Sequence, residues 1–182
     1  MMLFSNSKTD EIKIESNLDS IVNKHQLQLV GQTTFSVLFW DIYKSKLLTS
    51  TGKYPINNAE DKLIYEINYL TDISSNDLIE RTEEQWQHIG ISSENYQPYI
   101  PKLKRIWPDI VEGDTLSLLI DKQASYFYFN GQYIGSIKAP EFGRFFIDIW
   151  LAEKTSQPKL RAQLLGKISV GKRTEGKQND EK

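Results

Sequence analysis

Two residue types that carry much of enzyme chemistry are absent or few in this sequence, namely cysteine and histidine. The chain has no cysteine, which excludes disulfides, thiol catalysis and cysteine-ligated metal sites. Its two histidines, His25 and His88, have no second ligand at metal-binding spacing, so neither predicts a zinc or iron site. No nucleophile-elbow motif supports a serine triad, and the glycines form no dinucleotide or P-loop pattern. We therefore expect no metal and no cofactor.

Aromatic side chains are the distinctive feature of the sequence. Nine of the 21 aromatic residues fall between Tyr126 and Trp150. In the strand that begins at Tyr126, alternation places Tyr126 and Tyr128 on one face and Phe127 and Phe129 on the other. Such a row has two interpretations: packing between a sheet and helices, or an apolar cleft in which tyrosine hydroxyls hold the polar end of a ligand.

Composition excludes several classes of partner. The chain has 182 residues, which predicts one domain at about 150 residues per domain. Its 22 basic and 24 acidic residues give a net charge of −2, so no electrostatic footprint for nucleic acid exists. No apolar run approaches the ~20 residues of a membrane-spanning helix.

The elements that must position these side chains follow from hydrophobic periodicity. Period-two alternation predicts two long strands, or one bent ribbon, over about 26–49, with a bulge or kink at Gly31, and a further strand over 62–70. An amphipathic helix over 76–89 follows and ends at Gly90. The later elements are a helical stretch from Ser92 to before Pro108, strands over 115–121, 124–130 and 132–137, and helices that begin near Pro140 and Pro158.

The order of these elements indicates the fold class. Strands come first, then helices, then strands joined by hairpin-type connections such as Asn130-Gly131, and helices again. This order predicts an α+β domain in which an antiparallel, open-faced sheet has helices packed on one face.

Four segments together resemble the bacterial branch of the chalcone isomerase-like family. Their order and spacing cover roughly 27–166, and they read LVGQTTFSVLFWDIYKSKL, INYLTDISSNDLIERT, GDTLSLLID…YFYFNGQYIGSI and EFGRFFIDIWLAEKTSQPKLRAQLLG. The resemblance implies the family fold, an open-faced sheet with helices over one side, in agreement with the pattern above.

The resemblance also implies where functional residues should lie. In the plant enzymes of this family, a first-strand arginine stabilises the enolate, while a threonine, a helix tyrosine and further polar residues order substrate and water. Related fatty-acid-binding members keep the arginine and have a tyrosine at the threonine position. In this chain the arginine position falls on Gly31 or Gln32, and Tyr43 falls on the threonine position. The helix tyrosine, asparagine and late hydroxyl positions fall on Leu78, Gln85 and Ile149.

The missing arginine argues against catalysis. Losing one preorganised donor at an oxyanion commonly costs ~10²–10³ in rate, and Gln32 brings no charge. The first arginine in the chain is Arg81. We therefore expect a non-catalytic domain that binds a small apolar or fatty-acid-like ligand in a cleft between sheet and helices. The alternatives are a structural or interaction module without a ligand, and an isomerase with a rearranged active site.

Tyr43 is the expected polar anchor of that cleft, because it alone matches a family position in residue type. The weaker candidates are Gln32 and four tyrosines that strand alternation selects, Tyr65, Tyr69, Tyr126 and Tyr128. A phenol donates one hydrogen bond but cannot neutralise a buried charge. The ligand's head group should therefore be neutral, or lie near water at the cleft mouth.

The two ends of the chain differ from its centre. We expect an N-terminal segment over 1–25, the chalcone isomerase-like domain over 26–166, and a disordered polar tail over 167–182. The Met1–Ser7 start has two interpretations, a plain flexible terminus or the remnant of a signal peptide with a small-x-small cleavage pattern. Because bacterial relatives look exported, the resemblance favours a periplasmic over a cytoplasmic location.

Overall fold

One antiparallel sheet organises the fold. The structure is a computed structural model that describes residues 15–170, and in this range six strands form the sheet in the order β1 to β6. Each strand pairs with the next in the chain, so β1 and β6 are the edges. The strands are β1 (Gln28–Val37), β2 (Trp40–Thr49), β3 (Leu63–Tyr69), β4 (Thr115–Ile120), β5 (Ser125–Phe129) and β6 (Gln132–Ile137).

Six α-helices flank the sheet in the described part of the chain. They are α1 (Leu18–Lys24), α2 (Ser75–His88), α3 (Ser93–Tyr96), α4 (Ile100–Ile106), α5 (Pro140–Leu151) and α6 (Pro158–Leu164), with a 3₁₀ turn over Gln97–Tyr99. The Ser74 hydroxyl caps the first turn of α2 by accepting a hydrogen bond from the Asp77 amide. Proline begins α5 and α6, where the missing amide proton costs no hydrogen bond. Within residues 15–170, no helix is long and apolar enough to cross a membrane.

The main core lies between one face of the sheet and helices α2 to α6. Leu63, Tyr65 and Ile67 of β3 point into this layer. They meet aromatic side chains of the helices, among which Trp86 and Phe142 are fully buried. The predicted α+β class and the open-faced antiparallel sheet are confirmed.

Helix α1 covers part of the opposite face of the sheet. Its Leu18 and Ile21 pack against Ile64, Tyr126 and Tyr128 in a second, smaller apolar cluster. This helix belongs to the segment 1–25 that the sequence separates from the domain. Residues 1–14 and 171–182 lie outside the described residues, and so do the signal-peptide interpretation and most of the expected tail.

The last helix lies directly on the backbone of the first strand. The register of β1 and β2 shifts between Leu29 and Gly31, so the bulge expected at Gly31 is present. A Cβ atom on Gly31 would lie 2.2 Å from the carbonyl oxygen of Gln163 and 2.4 Å from that of Leu164. Thr33, two residues further along β1, donates a hydrogen bond to the side-chain oxygen of Gln163. Only glycine at position 31 lets α6 dock this closely.

This contact predicts the effect of a single methyl group. We expect Gly31→Ala to lower the free energy of unfolding by about 2 kcal/mol or more, because the backbone of α6 must move to admit the Cβ. Urea denaturation of the variant measures the loss. The neighbouring exposed change Gln32→Ala is the control and should stay within about 0.5 kcal/mol of wild type. Equal stability of the two variants would contradict the packing of α6 on Gly31.

Candidate functional site

A cavity of about 540 Å³ lies between the sheet and helices α2 and α5. Ile67 and Leu116 line it from the centre of the sheet, Leu78 from α2, and Phe146 and Ile149 from α5. All five side chains are apolar, and all except Leu78 are almost fully buried. The volume falls within the ~300–1,000 Å³ of typical small-molecule sites.

A second bulge shapes the end of the cavity formed by β1 and β2. Phe35 pairs with Tyr43, but Ser36 pairs with Asp41, so Ile42 is an extra residue on β2. As a result both Ile42 and Tyr43 line the cavity. The ring of Phe35 stacks on that of Tyr43 with centroids 5.1 Å apart. The bulge therefore places one more apolar side chain beside the tyrosine.

Tyr43 is held in place by helix α5. Trp150 Nε1 donates a hydrogen bond of 3.0 Å to the Tyr43 hydroxyl oxygen, and the Trp150 ring lies 4.5 Å from that of Tyr65. Burial raises the pKa of Tyr43 to about 12, against the opposing effect of the bond from Trp150. The hydroxyl is therefore neutral at pH 7, and its own proton remains available to an acceptor in the cavity.

Tyr69 supplies a second hydroxyl to the same cavity. Its ring packs edge-on to Tyr43 at 6.1 Å, and only 3% of the residue is exposed. Burial raises its pKa as well, so this hydroxyl is also neutral at pH 7. Among residues 15–170 it has no hydrogen-bond partner, which leaves its proton free for a ligand.

Polar and charged side chains form the rim of the cavity. Arg81 and Glu84 of α2 lie there and form an ion pair of 2.9 Å. The side chain of Arg81 is 76% exposed, so this charge lies in water at the mouth. Ser156 donates a 2.7 Å hydrogen bond to the side-chain oxygen of Gln85, which closes the rim between α2 and the segment before α6.

Arg81 is the rim residue that the sequence analysis missed. It follows Leu78 by three positions, and residues three apart lie on the same helix face. The amphipathic pattern of α2 could therefore have placed the arginine beside an apolar cleft. The family resemblance points to an arginine of the first strand instead.

The tyrosines chosen from the sequence do not all meet at one site. Tyr43 and Tyr69 line the cavity, whereas Tyr65 is buried in the core beside it, against Trp150. Tyr126 and Tyr128 lie on the opposite face beneath α1, and the Tyr128 hydroxyl donates to a backbone carbonyl there, that of residue 15.

Gln32 also lies away from the cavity. It is exposed on β1 and pairs across the strand with Lys46, which in turn forms an ion pair with Glu66. The alternative arginine position, Gly31, has no room for any side chain, because the carbonyls of Gln163 and Leu164 occupy that space. Neither position can therefore direct a donor at a ligand in the cavity.

The other positions implied by the resemblance do converge. Tyr43, Leu78, Gln85 and Ile149 come from three different elements, and all four line the cavity. The two histidines are exposed, and among residues 15–170 no three His, Asp or Glu side chains group as a metal site would require.

Known proteins resemble this chain in fold and in sequence. The crystal structure of a fatty-acid binding protein from Arabidopsis thaliana superposes with a TM-score of 0.59 at 15% identity, over 78% of this chain and 87% of that one. This likeness shows a shared fold. An uncharacterized protein of Haemophilus influenzae is 24% identical over 140 residues, which are 77% of this chain and 68% of the relative.

The family model provides the assignment. The model described as chalcone isomerase-like matches residues 7–166, which include every strand and helix of the structure. The order of the elements, the converging family positions and this match agree with one another. The protein belongs to the chalcone isomerase-like family.

Proposed function

We propose that the protein binds a small apolar ligand such as a fatty acid in the cavity between sheet and helices, without catalysing a reaction on it. The observation that carries the proposal is the cavity itself: about 540 Å³, lined mostly by apolar side chains, with two neutral tyrosine hydroxyls inside and a charged rim. An acyl chain gains about 25 cal/mol for each Å² of apolar surface that leaves water.

The charge of the ligand's head group determines how the ligand is oriented in the cavity. A neutral oxygen can accept hydrogen bonds from Tyr43 and Tyr69 within the cavity. A carboxylate there would be buried without a cation, at a cost of several kcal/mol that two phenols cannot offset. An ionised fatty acid therefore keeps its carboxylate at the mouth, beside the exposed guanidinium of Arg81, and places its chain inside.

The packing of α6 supports the absence of cyclisation chemistry. Family enzymes, as the resemblance implies, direct a first-strand arginine at the reacting oxygen. Here the helix backbone excludes a side chain at Gly31, and Gln32 faces the other side of the sheet. Arg81 offers a cation, but it is paired with Glu84 and exposed to water, where an electrostatic contact contributes little.

The comparisons agree with ligand binding. The Arabidopsis protein of the same fold is described as a fatty-acid binding protein. In this chain Tyr43 stands at the position where, as the resemblance implies, fatty-acid-binding members carry a tyrosine, and it lines the cavity.

Filling the cavity should remove binding. We expect Leu78→Trp to weaken the binding of hexadecanoic acid at least tenfold, because the larger side chain occupies the space that the acyl chain needs. Leu78 is half-buried and stands at the family's helix tyrosine position, so the fold should accept an aromatic ring there. The matched control is Glu80→Trp on the exposed side of α2. Isothermal titration calorimetry measures the affinity of both variants for hexadecanoic acid, and Glu80→Trp should bind like wild type. An unchanged affinity in Leu78→Trp would mean that the ligand binds outside this cavity.

Arg81 should produce a small preference for charged ligands. We expect hexadecanoic acid to bind at most about fivefold more tightly than its methyl ester at low salt, because an exposed ion contact is worth up to about 1 kcal/mol. Arg81→Gln should remove the preference, and Arg105→Gln, an exposed arginine on α4, should keep it. A hundredfold preference that survives Arg81→Gln would contradict this orientation and indicate another cation.

Cyclisation should be absent. We expect 2′-hydroxychalcone to convert in the presence of the protein at its spontaneous rate, since among residues 15–170 the only cation in the cavity lining is Arg81, which is exposed at the mouth and paired with Glu84. Absorbance of the chalcone over time measures the rate. Conversion well above the spontaneous rate that disappears in Tyr43→Phe would contradict the non-catalytic assignment.

A further inference from the structure

The turn between β1 and β2 carries the most exposed large apolar side chains in residues 15–170. Leu38 is 86% exposed, Phe39 89% and Trp40 75%, and the preceding Val37 is 49% exposed. The four residues are consecutive and carry no charge. Val37 pairs directly with Trp40, so Leu38 and Phe39 form a two-residue loop at the tip of the hairpin.

The residues of this loop do not suit its geometry. Leu38 has a φ of +56°, a conformation that bulky side chains rarely adopt and that favours glycine or asparagine. The other two-residue hairpin of the chain uses the preferred pair, Asn130 and Gly131, both with positive φ. The chain therefore accepts strain at one tip but not at the other, and strain of this kind is commonly retained for function.

The apolar tip lies next to the mouth of the cavity. Val37 lines the cavity, and Trp40 shares its face of the hairpin because the two residues are a cross-strand pair. Phe35 and Ile42, the next cavity-lining residues on the two strands, continue the apolar surface from the tip inward. An apolar path therefore leads from the tip to the cavity.

We infer that this tip, Val37 to Trp40, inserts into the interface of a phospholipid bilayer. Trp, Phe and Leu are the side chains that apolar faces of membrane-surface elements use in that zone. A second protein copy fits less well. The exposed parts of the four side chains total roughly 600 Å², taking about 200 Å² for a large side chain, whereas a stable interface takes about 800 Å² from each partner.

Docking at the bilayer would bring the cavity mouth to the lipid. If the proposed function holds, an acyl chain could pass between membrane and cavity along the tip without crossing water. The docking itself does not depend on the ligand. Because Val37, Leu38, Phe39 and Trp40 are uncharged, binding should need no anionic lipid and should depend little on salt.

Vesicle binding tests the inference with the full chain. We expect the protein to float with phosphatidylcholine vesicles and its tryptophan fluorescence to be quenched by acyl-brominated phosphatidylcholine. Trp86 and Trp107 are buried and Trp150 is half-buried in the cavity wall, so quenching that is lost in Trp40→Leu belongs to Trp40. The double variant Leu38→Asn/Phe39→Gly installs the loop pair that the chain uses at 130–131, so it should fold at least as well as wild type. Its vesicle affinity should fall at least tenfold. Leu29→Asn, another exposed leucine of β1, is the matched control and should bind like wild type.

Two results would overturn the inference. One is a wild-type chain that does not bind the vesicles, including a chain that forms dimers through the tip instead. The other is a double variant that binds them as well as wild type. Measuring fatty-acid affinity in solution separates this test from the test of the proposed function. A chain that binds vesicles but no fatty acid would support membrane docking and contradict only the proposed fatty-acid binding.

Discussion

The close approach of α6 to Gly31 determines much of this structure. The carbonyl oxygens at the end of α6 lie where a side chain of residue 31 would begin. This contact fixes the last helix on the first strand and completes the helical layer on that face. It also occupies the space from which a first-strand arginine would act. One glycine thus links a packing requirement to the absence of a side chain at this position of the first strand, and the cavity is the space that the packing leaves open.

Aromatic packing preserves the cavity that remains. Trp150 holds Tyr43 through a hydrogen bond and covers Tyr65 with its ring, while Trp86 donates to the backbone carbonyl of Phe145. These contacts tie α2 and α5 to each other and to the sheet. Rigid aromatic side chains occupy these positions. The smaller neighbouring side chains do not fill the space between them. Tyr43 and Tyr69 then give this cavity polarity without charge.

Comparison of sequence and structure separates two kinds of information. The period-two alternation identified β3 and β5, and the caps located the ends of α2, because both signals act between residues close in the chain. The hairpin between β1 and β2 carries no turn signal, since Leu38 and Phe39 are poor turn residues. From the sequence, 26–49 could therefore be two strands or one bent ribbon, and the structure shows two strands joined at Leu38 and Phe39. Alternation likewise paired Tyr126 with Tyr128 correctly but could not tell which face of the sheet they join.

By itself, the sequence determined the α+β class, the order of the elements and the absence of a first-strand arginine, and it pointed to Tyr43, which lines the cavity. These follow from local periodicity, from residue identity and from the family resemblance. Only the tertiary structure decided that Tyr69 joins Tyr43 while Tyr126 and Tyr128 pack under α1, and that Arg81 reaches the mouth of the cavity. The physical reason is that a face of a sheet becomes a core, a cavity or a surface according to which helices cover it, and that choice depends on contacts between residues distant in the chain.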